Sequence, residues 1–155
     1  MSYPHSVHQI REIIAQPKVL PPGTALEIET EGDAREFDSR PQFVESGFVD
    51  MRYTGRTHAY DDPTTYHAVF LLANQRVRGV DYDPVGRQNF RFKKRIPKGW
   101  HQNVCDPNRS TTDDAQNIHV PLANFAPNDF VVFIQLTAKL WNIDIGEEWK
   151  GGLFS

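Results

Sequence analysis

YHAVFLLANQRVRGVDY, residues 66–82, consists of two strand-like halves about a turn. The first half, 66–72, is the most continuously apolar segment of the chain, which predicts a central strand. The second half, 76–82, alternates apolar and polar residues, which predicts a half-buried strand. Asn74-Gln75 offers a tight turn between them, so the stretch reads as a β-hairpin at the middle of an antiparallel sheet.

Moving toward the N-terminus, residues 48–54 place Val49, Met51 and Tyr53 on one face and Asp50, Arg52 and Thr54 on the other, as a strand with one wet face does. Residues 25–30 also alternate, and Gly32-Asp33 turns them into a second run at 35–38. Earlier still, Val7, Ile10, Ile13 and Ile14 recur at helical spacing behind Ser6, a residue able to cap the first turn, and Pro17 ends that helix. Moving toward the C-terminus, Asp83-Pro84-Val85-Gly86 closes the hairpin. Residues 89–93 resume the alternation, with Phe90 and Phe92 on one face. Residues 96–116 read as a loop, and 117–120 as an extended segment that Pro121 limits to an edge or an end. Asn128 is placed to cap a final helix, with Asp129 at its positive end and Phe130, Phe133, Ile134, Thr137, Leu140 and Trp141 in one stripe. Residues 145–155 lack a period and read as a flexible tail.

These elements predict one α+β domain over residues 1–155. Its antiparallel, meandering sheet of about five to seven strands is packed by the C-terminal amphipathic helix and a short N-terminal one. The 155 residues suffice for a core that needs no disulfide or metal staple, and no apolar run approaches a membrane span. The start MSYPHSVHQIREII lacks a secretory pattern, and Cys105 is the single cysteine, so the expectation is a cytoplasmic protein with no membrane association. The formal charge of -3 conceals a local asymmetry: Arg87, Arg91, Lys93, Lys94, Arg95 and Lys98 fall in a segment without acids, which suits an anionic ligand.

Three constellations could carry chemistry. His101 and His119 lie near that basic run, and two imidazoles with a cation are what metal-independent RNA cleavage needs. One takes the 2′-hydroxyl proton, one protonates the leaving oxygen, and the cation stabilises the phosphorane. His101, Cys105, Asp106 and His119 are also acceptable metal ligands, but no CxxC-type pairing accompanies them, and no metal or cofactor is expected. The basic-aromatic run 87–100 offers phosphate contacts from Arg95 and Lys98 and base stacking from Trp100, placed in the loop, whereas Phe90 and Phe92 point inward. Asp81 and Asp83 share a strand face and could orient a histidine or bind a cation, although turn formation accounts for Asp83. Gly-rich phosphate loops, GxSxG, HExxH and dinucleotide fingerprints are absent from the sequence.

The strand ending Arg78-Gly79-Val80-Asp81 leads into a Pro- and Asn-rich loop bearing a histidine, then a strand containing His119-Val120 and a closing amphipathic helix. This order, over residues 66–142, resembles the TumE-like small bacterial proteins, toxin components of toxin–antitoxin pairs, and related uncharacterised families. The His-His or His-x-His cluster associated with them is reduced here to His119. The resemblance implies a cytoplasmic protein that acts on nucleic acid and has a cognate protein partner.

The leading expectation is therefore an RNA-directed, toxin-like, metal-independent ribonuclease. His101 and His119 would be its acid–base pair, Arg95 and Lys98 its phosphate-binding cations, and Trp100 its stacking platform. The alternative is a non-enzymatic interaction module: an antitoxin, an immunity protein or an inhibitor. Imidazoles about 4 to 8 Å apart in an open cleft would favour the first, and burial on opposite sides of the sheet would remove it.

Overall fold

The computed structural model describes residues 6–45, 47–89, 94–104 and 118–149. Helix α1 (Val7–Ala15) is followed by β1 (Lys18–Val19), β2 (Glu29–Glu31), β3 (Ala34–Ser39), β4 (Gln42–Phe43) and β5 (Met51–Thr57). Then come β6 (His67–Leu72), β7 (Gln75–Asp83), β8 (Arg87–Asn89), β9 (Lys94–Ile96), β10 (Gly99–Val104) and β11 (Ile118–Pro121). Helix α2 (Phe130–Leu140), β12 (Ile143–Asp144) and a 3₁₀ turn over Glu147–Trp149 follow, and another 3₁₀ turn, Pro63–Thr65, lies between β5 and β6. Seven strands form one antiparallel sheet in the order β11-β10-β7-β6-β5-β3-β2, with β6 in the middle. This is the α+β domain that the sequence predicts, with a helix near each end of the described chain.

The hairpin at its centre turns at Ala73 and Asn74, whose φ angles of 49° and 63° are the left-handed pair that matches strand twist, so Gln75 already belongs to β7. Phe70 pairs with Arg78 but Leu71 with Arg76, and Val77 is the extra residue of the resulting bulge. One face of the sheet carries Met51, Tyr53, Ala68, Phe70, Leu72 and Val80 into the core. Helix α2 covers that face with Phe130, Phe133, Ile134 and Ala138, and Trp141 follows at its C-cap. The helix is locked rather than merely laid on: the Tyr53 hydroxyl donates to the Ile134 carbonyl at 2.9 Å, and Trp141 Nε1 donates to Gln102 Oε1 at 2.9 Å.

A second, three-stranded sheet, β12-β1-β4, joins the exits of both helices, with β1 and β12 parallel. Buried Lys18 reinforces the junction. Its ammonium donates to the carbonyls of Ile14, Gln16 and Trp141 at 2.9, 2.8 and 2.7 Å.

Several expectations need correction. The N-cap of α2 is Asp129, whose carboxylate accepts from the Val132 amide at 2.8 Å, and not Asn128. Strand 25–30 contracts to β2, and strand 48–54 moves to β5. Ile145 and Trp149 belong to the core, so the flexible tail does not begin at 145; residues 150–155 lie outside the described residues. Residues 99–104, read as loop, form β10, which pairs along its whole length with β7. Phe90 and Phe92 lie outside the described residues.

Candidate active site on the open face of the sheet

Strand alternation sends Trp100 and Gln102 toward α2 and leaves His101 and Asn103 on the opposite face. In register, His101 stands against Asp81 of β7, Asn103 against Gly79, and His119 of β11 against Asn103. On the other side of β7, Ala68 pairs with Val80, which brings His67 beside Asp81. Four neighbouring strands thus each contribute a polar residue to one patch.

These side chains are joined. His67 Nδ1 donates to Asp81 Oδ1 at 2.8 Å, and Asn103 Nδ2 donates to Asp81 Oδ2 at 2.6 Å. Asn103 Oδ1 and His119 Nδ1 are 2.6 Å apart. The His101 ring lies across from that of His119, centroids 5.4 Å apart and planes at 74°, and His101 Nδ1 is 3.3 Å from the Gly99 carbonyl. Burial works to raise the Asp81 carboxyl, but the hydrogen bond and charge of His67, the Asn103 amide and the charge of His101 outweigh it and hold it below the ordinary carboxylate value. Asp81 is therefore ionised at neutral pH.

The patch forms the wall of a cleft of about 590 Å³ whose lining includes His67, Asp81, His101, Asn103, His119 and Arg76. Arg87 stands at the same cleft, its Nε donating to Asp83 Oδ2 at 2.8 Å. The Asp83 carboxylate also accepts from the Val85 and Gly86 amides at 3.1 and 2.8 Å. Burial pushes the Asp83 carboxyl up, and those amides with Arg87 bring it below its ordinary value. Its bonds are those of a turn. A wider groove of about 780 Å³ continues over the sheet past Thr54, Arg56 and Glu36 and shares His67, Arg76, Asp81 and Asn103 with the cleft.

Of the residues singled out in the sequence, the structure brings His101 and His119 together, beside Asp81. Arg95 and Lys98 are exposed, but neither lines the cleft; Ile96 does, and alternation along β9 turns Arg95 the other way. The loop placement of Trp100 needs correction. It lies in β10, not in a loop, and its half-buried ring packs against Tyr82, Phe125 and Phe133 on the α2 side of the sheet, the face opposite the cleft. Lys93, Cys105 and Asp106 lie outside the described residues. Among the described residues, no three His, Cys, Asp or Glu side chains are grouped to hold a metal ion, and no helix is long and apolar enough to cross a membrane. Sequence reasoning missed His67, Asn103 and Arg76. Once 99–104 is a strand, His101 and Asn103, two apart, must share a face; that spacing was the available signal.

Fold and site define the class: an α+β protein with a helix-covered sheet and a histidine-lined cleft on the sheet's open face. Among known proteins, no family model, no curated protein and no solved structure matches the chain.

Proposed function

We propose that this chain is an RNA-directed, toxin-like ribonuclease that cleaves by metal-independent transesterification. The observation that carries the reading is the His101–His119 pair, 5.4 Å between centroids, lining one cleft with Arg76. In that cleft one imidazole takes the proton of a 2′-hydroxyl as its oxygen attacks phosphorus. The other, as imidazolium, gives a proton to the departing 5′-oxygen. The products are a 2′,3′-cyclic phosphate and a 5′-hydroxyl, and the arginine offsets the charge gathering on the equatorial oxygens. A cognate protein that blocks the cleft belongs to the same proposal.

The test is incubation of the purified protein with an oligoribonucleotide in EDTA. Cyclic-phosphate ends are expected, a strand with 2′-deoxyribose at the cut position is spared, and His119→Ala lowers the rate by about 10²- to 10⁴-fold. Intact RNA, or an undiminished H119A enzyme, removes the proposal.

One observation favours a second reading. His101 is only 4% exposed, as a histidine that merely knits β10 to its neighbours would be. A non-enzymatic interaction module would keep its partner when both histidines are replaced, which co-purification of the double variant measures.

A further inference from the structure

The bonds on the open face also fix where protons lie. An ionised carboxylate only accepts hydrogen bonds, so the Asn103 atom 2.6 Å from Asp81 Oδ2 must be the amide nitrogen. The amide oxygen is then the atom facing His119, and an amide oxygen has no proton to give. His119 must donate from Nδ1 across their 2.6 Å contact. In the neutral ring this leaves Nε2 as the basic nitrogen, the less common form of an unconstrained imidazole.

We infer that Asp81 and Asn103 are positioning residues that hold His119 in the Nδ1–H form and so make it the general base of the cleft. This rests on the acid–base reading above for its catalytic part, while the tautomer itself does not. The relay runs over three adjacent strands: β7 supplies the fixed charge, β10 the reversible amide, and β11 the imidazole. Asn103 could be turned over at no steric cost, since its oxygen and nitrogen are nearly the same size. Only Asp81 decides its orientation. A charge on one strand thereby sets the proton position two strands away without touching the ring. His67 holds the other carboxylate oxygen at 2.8 Å, which keeps Asp81 Oδ2 directed to Asn103 in either protonation state of His67, because Nδ1 carries a proton in both. Among the described residues, the charged and titratable groups about His119 include His101 across from it on β10, with Asp81, His67, Arg76, His58, Asp83 and Arg87 lining the same cleft.

The experiment is long-range ¹H–¹⁵N spectroscopy of the histidine rings in the wild-type protein and in Asp81→Asn, paired with RNA cleavage by both. A His119 ring that, when neutral, carries its proton on Nδ1 is expected in the wild type. Asp81→Asn should turn that single form into a mixture, because an amide at 81 accepts Asn103 either way round. Cleavage by D81N should lose about 10- to 100-fold in kcat with KM little changed, as for a group that acts only on the proton in flight. A wild-type His119 protonated on Nε2 overturns the relay, and so does a D81N spectrum with the His119 form unaltered. Asn103→Ser, which keeps a small polar residue but cuts the relay, gives the same readout should D81N fail to fold. Altered tautomers without RNA cleavage by the wild type would support the relay and remove the ribonuclease reading. Cleavage by D81N at the wild-type kcat would overturn the role assigned to Asp81 while leaving that reading in place.

Discussion

Lys18 is 1% exposed, yet it carries an ammonium. Three carbonyls from the ends of α1 and α2 accept its three protons, and the Phe70 ring lies 5.6 Å away. Lys18→Met keeps the stem's packing but strands those carbonyls, and a loss of about 1 to 3 kcal/mol in urea unfolding is expected. A variant as stable as the parent would show that water satisfies them. Burial lowers the Lys18 pKa from 10.5 to about 8. The unfolded chain then binds the extra proton between those values, so this residue makes the protein more stable as pH rises through that window, and the gain is lost as pH falls to 8. Tyr66 acts in the opposite sense. Burial, with the charges of Asp129, Tyr60, Asp61 and Asp62, raises it from 10.0 to about 12, and its contribution is lost as pH climbs through that range. Unfolding curves should show a stability gain from pH 8 toward 10 that K18M lacks, followed by a decline.

At the level of strands and helices, β3 and β5 are drawn together by a missing side chain. A Cβ on Gly55 would lie 2.7 Å from Phe37 Cζ and 3.0 Å from the His67 carbonyl oxygen. Gly55→Ala must therefore move the Phe37 ring off Tyr53 and should cost about 1 to 3 kcal/mol. Gly79→Ala, whose Cβ would meet its nearest atom at 3.4 Å, should cost far less by the same denaturation measurement. Equal losses would contradict the packing argument. Such contacts cannot be read from residue types, but the elements themselves largely could be. The Ser6 cap, the 66–82 hairpin, the edge position forced by Pro121 and the α2 stripe all follow from local patterns that tertiary packing reinforces. Strand β10 was hidden because Gly99 and the run His101-Gln102-Asn103 have loop composition; pairing with β7, a contact distant in sequence, makes them a strand. Ile145 and Trp149 lacked a period because each enters the core singly, Trp149 from the end of one 3₁₀ turn, rather than as part of a repeating stripe. Half of the candidate site, His101 with His119, was therefore legible. Asp81 was legible as a carboxylate able to orient a histidine, but which histidine it serves, and the Asn103 amide between them, depend on register.

Over the whole molecule, the two faces of the sheet divide the labour. One is filled by α2 and its aromatic cluster and sets stability; the other is polar and holds the cleft. The short β12-β1-β4 sheet ties the helix ends to one another, remote in sequence from the histidines. The strand that carries His119 has the opposite character. Among the described residues β11 is the last strand of the large sheet, four residues long and paired there with β10 only, with a further backbone bond from the Leu122 amide to the Trp100 carbonyl at 3.0 Å. Hydrogen exchange should accordingly be faster at the amides of Ile118, His119, Val120 and Leu122 than in β6 or β7. A 2′-deoxy oligonucleotide held between His101 and His119 should slow it, and exchange unchanged by that ligand would count against a shared site. Because half of the histidine pair rides on this rim, the affinity for any such ligand is discounted by the fraction of time the rim is unzipped, and a molecule that clamps β11 from outside could raise or silence the site without entering it.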